Sequence, residues 1–274
     1  MQGTRLRIGS DDFKDYRDTD GYVVDKSLFI REVIDGSKVL LFPRPRRFGK
    51  TFNMTMLRYF FEKSAEDQRY LYEDLAIAQS AEHMAHFGKY PTVYLTLKDL
   101  KADDWESARD KLGRQMAWLY RSFDYVRESL PAGVRERFVA LCEERGDDAS
   151  LQLSLKELIQ HLYAYHGVPV VVLIDEYDTP LINAFYRSRQ TPREEVGFYE
   201  QMVAFMRSWL GGALKHSEGQ ALFKGVVTGI LRVAKESIFS DLNNLFVWST
   251  LKTGKFADKF GFTDEEVRKV LADF

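Results

Sequence analysis

Lys38-Val39-Leu40-Leu41-Phe42-Pro43-Arg44-Pro45-Arg46-Arg47-Phe48-Gly49-Lys50-Thr51 is the stretch whose reading decides the fold. A short apolar run meets two prolines and three arginines, then Gly-Lys-Thr, and an amphipathic segment from Phe52 to Phe61 starts at once. Strand, tight loop and helix in that order are what a phosphate-binding P-loop needs. In such a loop successive amides turn inward, and the helix that follows adds its unpaired N–H groups to the same anion. A lysine then reaches the β- and γ-phosphates, and a Ser or Thr hydroxyl binds Mg²⁺. Gly49, Lys50 and Thr51 match the second half of G-x-x-x-x-G-K-[ST]. The first glycine would fall at position 44, where Arg44 stands. Glycine serves there because it tolerates positive φ and close approach. Either the loop enters differently, with Pro43 and Pro45 fixing φ, or it binds phosphate poorly. The competing reading is a chance match at a basic helix start. The candidate nucleotide-binding residues are Arg44, Pro45, Arg46, Arg47, Phe48, Gly49, Lys50, Thr51 and Phe52, with Arg46 and Arg47 adding charge around a polyphosphate.

A second motif raises the odds. Val168 to Ile174 reads V-P-V-V-V-L-I, a β-branched apolar run suited to a parallel strand buried on both faces. It ends in Asp175-Glu176-Tyr177-Asp178. Carboxylates at the C-terminal end of such a strand lie where ligands bind in open α/β sheets. This is the hhhhDE form of a Walker B element. Asp175 is the candidate Mg²⁺ ligand with Thr51, and Glu176 the candidate general base toward water. The bland alternative is an acidic turn after a core strand. Asp178 is read as a helix cap in preference to a second metal ligand, because Thr179-Pro180 suits a first helical turn.

A third element is softer. Ala221 to Thr228 is a further strand ending in Thr228-Gly229. Thr228 is a candidate γ-phosphate sensor and Arg232 a candidate charge stabiliser. A turn residue and a solvated arginine explain the two equally well.

Four blocks together resemble the AAA-ATPase-like family: Y-V-V-D-K-S-L-F-I (22–30), F-P-R-P-R-R-F-G-K-T-F-N (42–53), V-L-I-D-E-Y-D-T-P-L (172–181) and T-G-I-L-R-V-A-K-E-S-I-F-S-D-L-N-N-L (228–245). The resemblance spans most of the chain. It implies that the missing first glycine is a family trait. It also implies a P-loop ATPase fold, ATP and Mg²⁺ as cofactors, Lys50 and Thr51 at phosphate and metal, and Asp175 and Glu176 on the catalytic strand. Members are common in bacterial genomes and often carry a PD-(D/E)XK-type nuclease domain. The chain is therefore expected to be one ATPase-like domain, 1–274, cut from a longer protein whose C-terminal part could be a nuclease.

The expected fold is α/β: a P-loop NTPase three-layer sandwich around a mostly parallel five-stranded sheet. The strands are 38–42, 92–97, 169–174, 221–228 and 245–250, in the order 5-1-4-3-2 by analogy with ATPases of this arrangement. Segments 104–128, 133–145 and 150–166 have helical spacing with acidic starts, more than one crossover needs. They read as a helical insertion at about 98–166 on one side of the sheet. Asp25 to Ile34 reads as a helix with an acidic cap, and Glu194 to Lys215 as a helix broken near Gly211-Gly212. Tyr22, Val24 and Ile30 could contact a base, although core packing explains them as well.

Lys and Arg number 39 against 41 Asp and Glu, a net charge of −2 that argues against a dedicated nucleic-acid module. A lone cysteine, Cys142, read as buried, rules out an internal disulfide and fits a reducing compartment. With no membrane-length apolar run and no signal peptide, a cytoplasmic protein without membrane contact is expected. His83, His86, His161 and His166 lack partners at zinc spacing.

The leading function is an ATPase module that couples nucleotide state to a neighbouring domain or subunit, with an arginine finger from a second copy in a homo-oligomer as one arrangement. A non-catalytic nucleotide-binding or interaction module with a degenerate P-loop is the rival. A nucleic-acid binder using Arg44, Arg46 and Arg47 is the third reading; in the leading one nucleic acid enters only indirectly.

Overall fold

The computed structural model describes residues 9–190, 197–215, 220–230, 239, 245–250 and 254–274. The helices and strands along them are α1 (Phe13–Asp18), α2 (Leu28–Ile34), β1 (Val39–Pro43), α3 (Lys50–Phe61), α4 (Ala81–Met84), β2 (Thr92–Thr96), α5 (Trp105–Ser122), α6 (Ala132–Cys142), α7 (Asp148–His166), β3 (Val170–Asp175), α8 (Thr179–Ser188), α9 (Phe198–Leu214), β4 (Leu222–Gly229), β5 (Leu245–Val247) and α10 (Asp264–Asp273). The strands form one sheet, β2-β3-β4-β1-β5, and every pairing is parallel. Read from the other edge this is the expected 5-1-4-3-2.

Both faces of the sheet are covered, which is why β1 and β3 are buried at every position and apolar at all but Asp175, the last residue of β3. Alternate residues serve opposite cores. Val170, Val172 and Ile174 of β3, with Val39 and Leu41 of β1, join a core built on α5 to α9. Val171 and Leu173, with Leu40 and Phe42, join a second core of aromatic residues from α1, α2 and α3, closed by Phe256 and Phe260. The result is a three-layer sandwich.

The segment between β2 and β3 carries α5, α6 and α7, all on the first face with α8 and α9. Two of these helices start on acids: Asp104 accepts from Ser107 N and Asp147 from Ser150 N. The stretch 104–128 is not one helix; α5 stops at Ser122 and a 3-10 turn, Asp124–Ser129, follows. α9 runs unbroken through Gly211 and Gly212. Packing of Leu210, Ala213 and Leu214 outweighs the roughly 1 kcal/mol that each glycine costs a helix. Its expected start at Glu194 lies outside the described residues. Asp25 does not cap α2, which begins after Ser27. Its carboxylate instead accepts from Ser27 N and Ala76 N, pinning two loops together. Cys142 is half-buried rather than buried, and desolvation raises its thiol pKa. Among the described residues no helix is long and apolar enough to cross a membrane.

Trp209 is 1 % exposed and donates Nε1–H to Ser154 Oγ at 3.1 Å, joining α9 to α7. Trp209→Ala should lower unfolding stability by about 3–5 kcal/mol in urea titration. A loss below about 1 kcal/mol would contradict this packing.

Candidate functional site

The chain leaves β1 still paired to the sheet. Pro43 lies opposite Gly229, and Arg44 N donates to Gly229 O at 2.9 Å. Arg44 therefore extends the ladder, and its φ is not in the left-handed region. The turn comes three residues later. Arg47 (φ 66°) and Gly49 (φ 70°) are left-handed, and α3 begins at Lys50. A left-handed arginine costs roughly 1–2 kcal/mol, and such strain collects at ligand loops.

The Arg44 side chain is 3 % exposed and does not line the cavity described below. Its guanidinium donates to the carbonyls of Pro43 (3.0 Å) and Trp248, and lies 4.9 Å from the Phe260 ring centre. Burial pushes its pKa down to about 10. This corrects the expectation of Arg44 as a phosphate ligand, and equally as a nucleic-acid contact: it is a strut beneath the loop. Pro45 also stays off the cavity, but its carbonyl and that of Arg44 accept Lys50 Nζ at 3.0 and 3.2 Å. Lys50 is 6 % exposed. Burial lowers its pKa from the usual lysine value, and Asp175, Glu176 and Asp178 act the other way.

Asp175, 1 % exposed at the tip of β3, joins the two motifs. Thr51 Oγ1 donates to its Oδ2 at 2.7 Å, and Thr228 Oγ1, from the end of β4, donates to its Oδ1. Thr228 thus sits behind the carboxylate and does not line the cavity. Glu176 is left-handed (φ 55°), which turns it out of the strand line, and its Oε2 accepts from Thr179 Oγ1 at 3.2 Å. Asp178 stands at the start of α8 without capping it; its Oδ2 accepts Ile230 N at 2.8 Å. A Cβ on Gly229 would lie 2.6 Å from the Tyr177 ring and 2.7 Å from Asp178 Oδ1, so only glycine lets the tips of β3 and β4 come this close.

A cavity of about 1110 Å³ opens over these tips. Arg46, Arg47, Phe48, Gly49, Lys50, Thr51, Phe52 and Glu176 all line it. Of the residues considered for base contact, Tyr22 and Val24 line it, whereas Ile30 is wholly buried in the aromatic core. Lys26, Lys98, Lys101, Asn183, Phe262 and Leu271 also line it and have no counterpart in the sequence reading. They arrive from four separate segments, and no local pattern marks them. Arg232 lies outside the described residues.

One end of the cavity suits an anion. Arg46, Arg47 and Lys50 converge where the first amides of a 12-residue helix are unpaired. The donors for a metal are also of the right kind. Thr51 hydroxyl and Asp175 carboxylate are hard oxygens within hydrogen-bond distance of each other. Among the described residues no cluster of three or more His, Cys, Asp or Glu could cage an ion. That combination fits Mg²⁺, which keeps waters and shares its shell with phosphate oxygens.

A family model described as Predicted AAA-ATPase matches residues 7–239. The chain is 24 % identical over 274 residues to an uncharacterized protein in the vnfD 5' region of Azotobacter chroococcum mcd 1. The match covers 99 % of this chain and 46 % of that protein, so the chain spans about half of its relative's length. No solved structure matches.

Arg44→Gly would restore the usual glycine of the motif, yet should destabilise the protein. Losing two charge-assisted hydrogen bonds and the ring contact should cost about 2–3 kcal/mol in chemical denaturation. A variant as stable as the parent would overturn the role of Arg44 as a strut.

Proposed function

The chain belongs to the AAA-ATPase-like family, and on that premise we propose that it binds ATP with Mg²⁺ in the cavity above β1 and β3 and hydrolyses it. The observation that carries this reading is the Thr51–Asp175 hydrogen bond. It holds the Gly-Lys-Thr helix start against the acidic strand tip, with Glu176 on the wall of the same cavity.

The phosphates would sit on the amides of the turn around Arg47, Phe48 and Gly49 and at the start of α3. Lys50 would exchange the carbonyls of Arg44 and Pro45 for phosphate oxygens. Thr51 and Asp175 would hold Mg²⁺, the carboxylate through water, and the ion would neutralise charge on the β- and γ-phosphates. Thr228 would act as a positioning residue that fixes the Asp175 carboxylate. Glu176 would take the proton of the attacking water as its oxygen bonds to the γ-phosphorus and the bond to the ADP oxygen breaks. Lys50, Arg46 and Arg47 supply positive charge in cis. Arg232, or an arginine of a second subunit, is proposed as the remaining stabiliser.

The work done with this energy is proposed to be a switch of contacts to a further domain or another subunit. A relative about twice the length of this chain supports room for such a domain. A nuclease-like identity for it, homo-oligomerisation and a cytoplasmic setting belong to the same proposal. The near-balanced charge supports an indirect link to nucleic acid at most.

Lys50→Ala should weaken ATP–Mg²⁺ binding about 10- to 100-fold by calorimetry, the size of a lost charge-assisted hydrogen bond. Equal affinity in both proteins would contradict the phosphate assignment. Glu176→Gln should bind ATP like the parent and lose about 10²-fold or more in phosphate release. Unchanged turnover would remove Glu176 from the chemistry. A parent protein that binds ATP and never releases phosphate would select the non-catalytic module instead.

A further inference from the structure

Beyond Glu176 the cavity continues away from the phosphate loop, and that end is rich in hydrogen-bond donors. In the sheet, β2 lies on the far side of β3 from β4 and β1. Thr96, the last residue of β2, pairs with Asp175, and Leu97 N donates to Asp175 O at 2.9 Å. The chain therefore leaves β2 beside Glu176, one strand spacing away, about 4.8 Å. Lys98 and Lys101 of the loop that follows line the cavity there, together with Thr179, Asn183 and Tyr186 of α8.

The loop is tied down by its backbone while its cations are left to the cavity. The Gln115 side-chain amide of α5 donates to Thr96 O, and Lys111 Nζ of the same helix donates to Lys101 O. Asn183 Oδ1 accepts Ala102 N at 2.8 Å, which joins the loop to α8, the helix that also carries Thr179, the donor to Glu176. Lys98 and Lys101 are both exposed. Lys98 meets Asp11 at 3.6 Å, but both side chains are more than half exposed, and such a pair is worth little in water. Among the described residues Lys101 forms no ion pair. Asn183, with its oxygen engaged, keeps an NH2 group to donate, and the hydroxyl of the exposed Tyr186 is a further donor.

The position of these donors has a chemical meaning. In phosphoryl transfer the attacking and leaving oxygens lie roughly in line. With the phosphates of ADP on the loop after β1, the phosphate freed by attack of water lies on the other side, toward Glu176 and Lys98. A single water needs little room, whereas the cavity, about 1110 Å³ in all, exceeds the roughly 1,000 Å³ upper end of small-molecule sites. Two ammonium groups on flexible stems, an amide NH2 and a phenol match the oxygens of a tetrahedral anion.

We propose that Lys98 and Lys101, with Asn183 and Tyr186, form a second anion subsite that holds inorganic phosphate beside bound ADP. This rests on the phosphate reading of the loop and goes beyond it. It gives a ligand to residues that belong to neither sequence motif, and it makes the release of phosphate a step separate from the release of ADP. The two lysines offset the charge of the anion. Dihydrogen phosphate carries hydroxyls of its own, which donate to the Glu176 carboxylate, so the base and the anion are compatible neighbours.

The test titrates inorganic phosphate into the whole chain saturated with ADP–Mg²⁺, followed by calorimetry. ADP fills the loop, so added phosphate reports on the subsite alone. Phosphate should bind the parent complex. A double variant, Lys98→Ala with Lys101→Ala, should bind ADP–Mg²⁺ like the parent but phosphate about tenfold or more weakly, the size of a lost charge-assisted hydrogen bond. Lys98→Arg with Lys101→Arg keeps both charges and should retain most of the phosphate affinity. Both positions are exposed, so the variants should melt with the parent, and an unchanged melting temperature confirms that the loss is local. An ADP complex of the parent that takes up no phosphate at millimolar concentration would overturn the subsite. So would an alanine variant that binds phosphate as tightly as the parent. Failure of the parent to bind ADP–Mg²⁺, seen before any phosphate is added, would instead overturn the phosphate loop, and the subsite with it.

Discussion

The Asp175 carboxylate is the point on which the site depends. One oxygen takes the hydroxyl of Thr51 and the other that of Thr228. Three parts of the fold meet there: the helix start after β1, the tip of β3 and the tip of β4. A buried carboxylate needs donors, and the only way to supply both is to hold these tips in register. Gly229 makes this possible by letting Tyr177 and Asp178 approach without a side chain between. The parallel sheet sets the strands side by side, and this small polar cluster sets how the loop above them sits.

The loop shows how a P-loop can do without its first glycine. In the usual pattern that residue absorbs an awkward backbone conformation. Here position 44 is ordinary extended chain, paired with Gly229, and the left-handed turn falls at Arg47 and Gly49. The arginine at 44 turns its side chain down, against Phe260 and two carbonyls. The position of the glycine has moved along with the turn. Lys50, itself buried, rests on the carbonyls of this same loop among three nearby carboxylates, at the wall of the open cavity.

The sheet was legible because its strands are short, β-branched and apolar on both faces, a pattern that few other elements share. The two motifs were legible because Gly49-Lys50-Thr51 and Asp175-Glu176 are local in sequence. What was not legible came from the tertiary structure. Nothing in the sequence says that Arg44 is buried, since arginine next to a phosphate loop argues for the opposite. Gly211 and Gly212 read as a break, but their neighbours' packing kept α9 whole. Asp25 and Asp178 looked like caps, and each proved to accept amides from distant loops. The far end of the cavity draws on Tyr22, Phe262 and α10, more than 200 residues apart, so no window of sequence could assemble it.

The most direct measurement of the central claim is a crystal structure with Mg²⁺ and a non-hydrolysable ATP analogue. The account predicts the β- and γ-phosphates over the amides at Gly49 to Thr51. Lys50 should have left the carbonyls of Arg44 and Pro45 for phosphate oxygens, and the metal should lie between Thr51 and Asp175. A nucleotide bound elsewhere, or one bound with Lys50 still on those carbonyls, would contradict it.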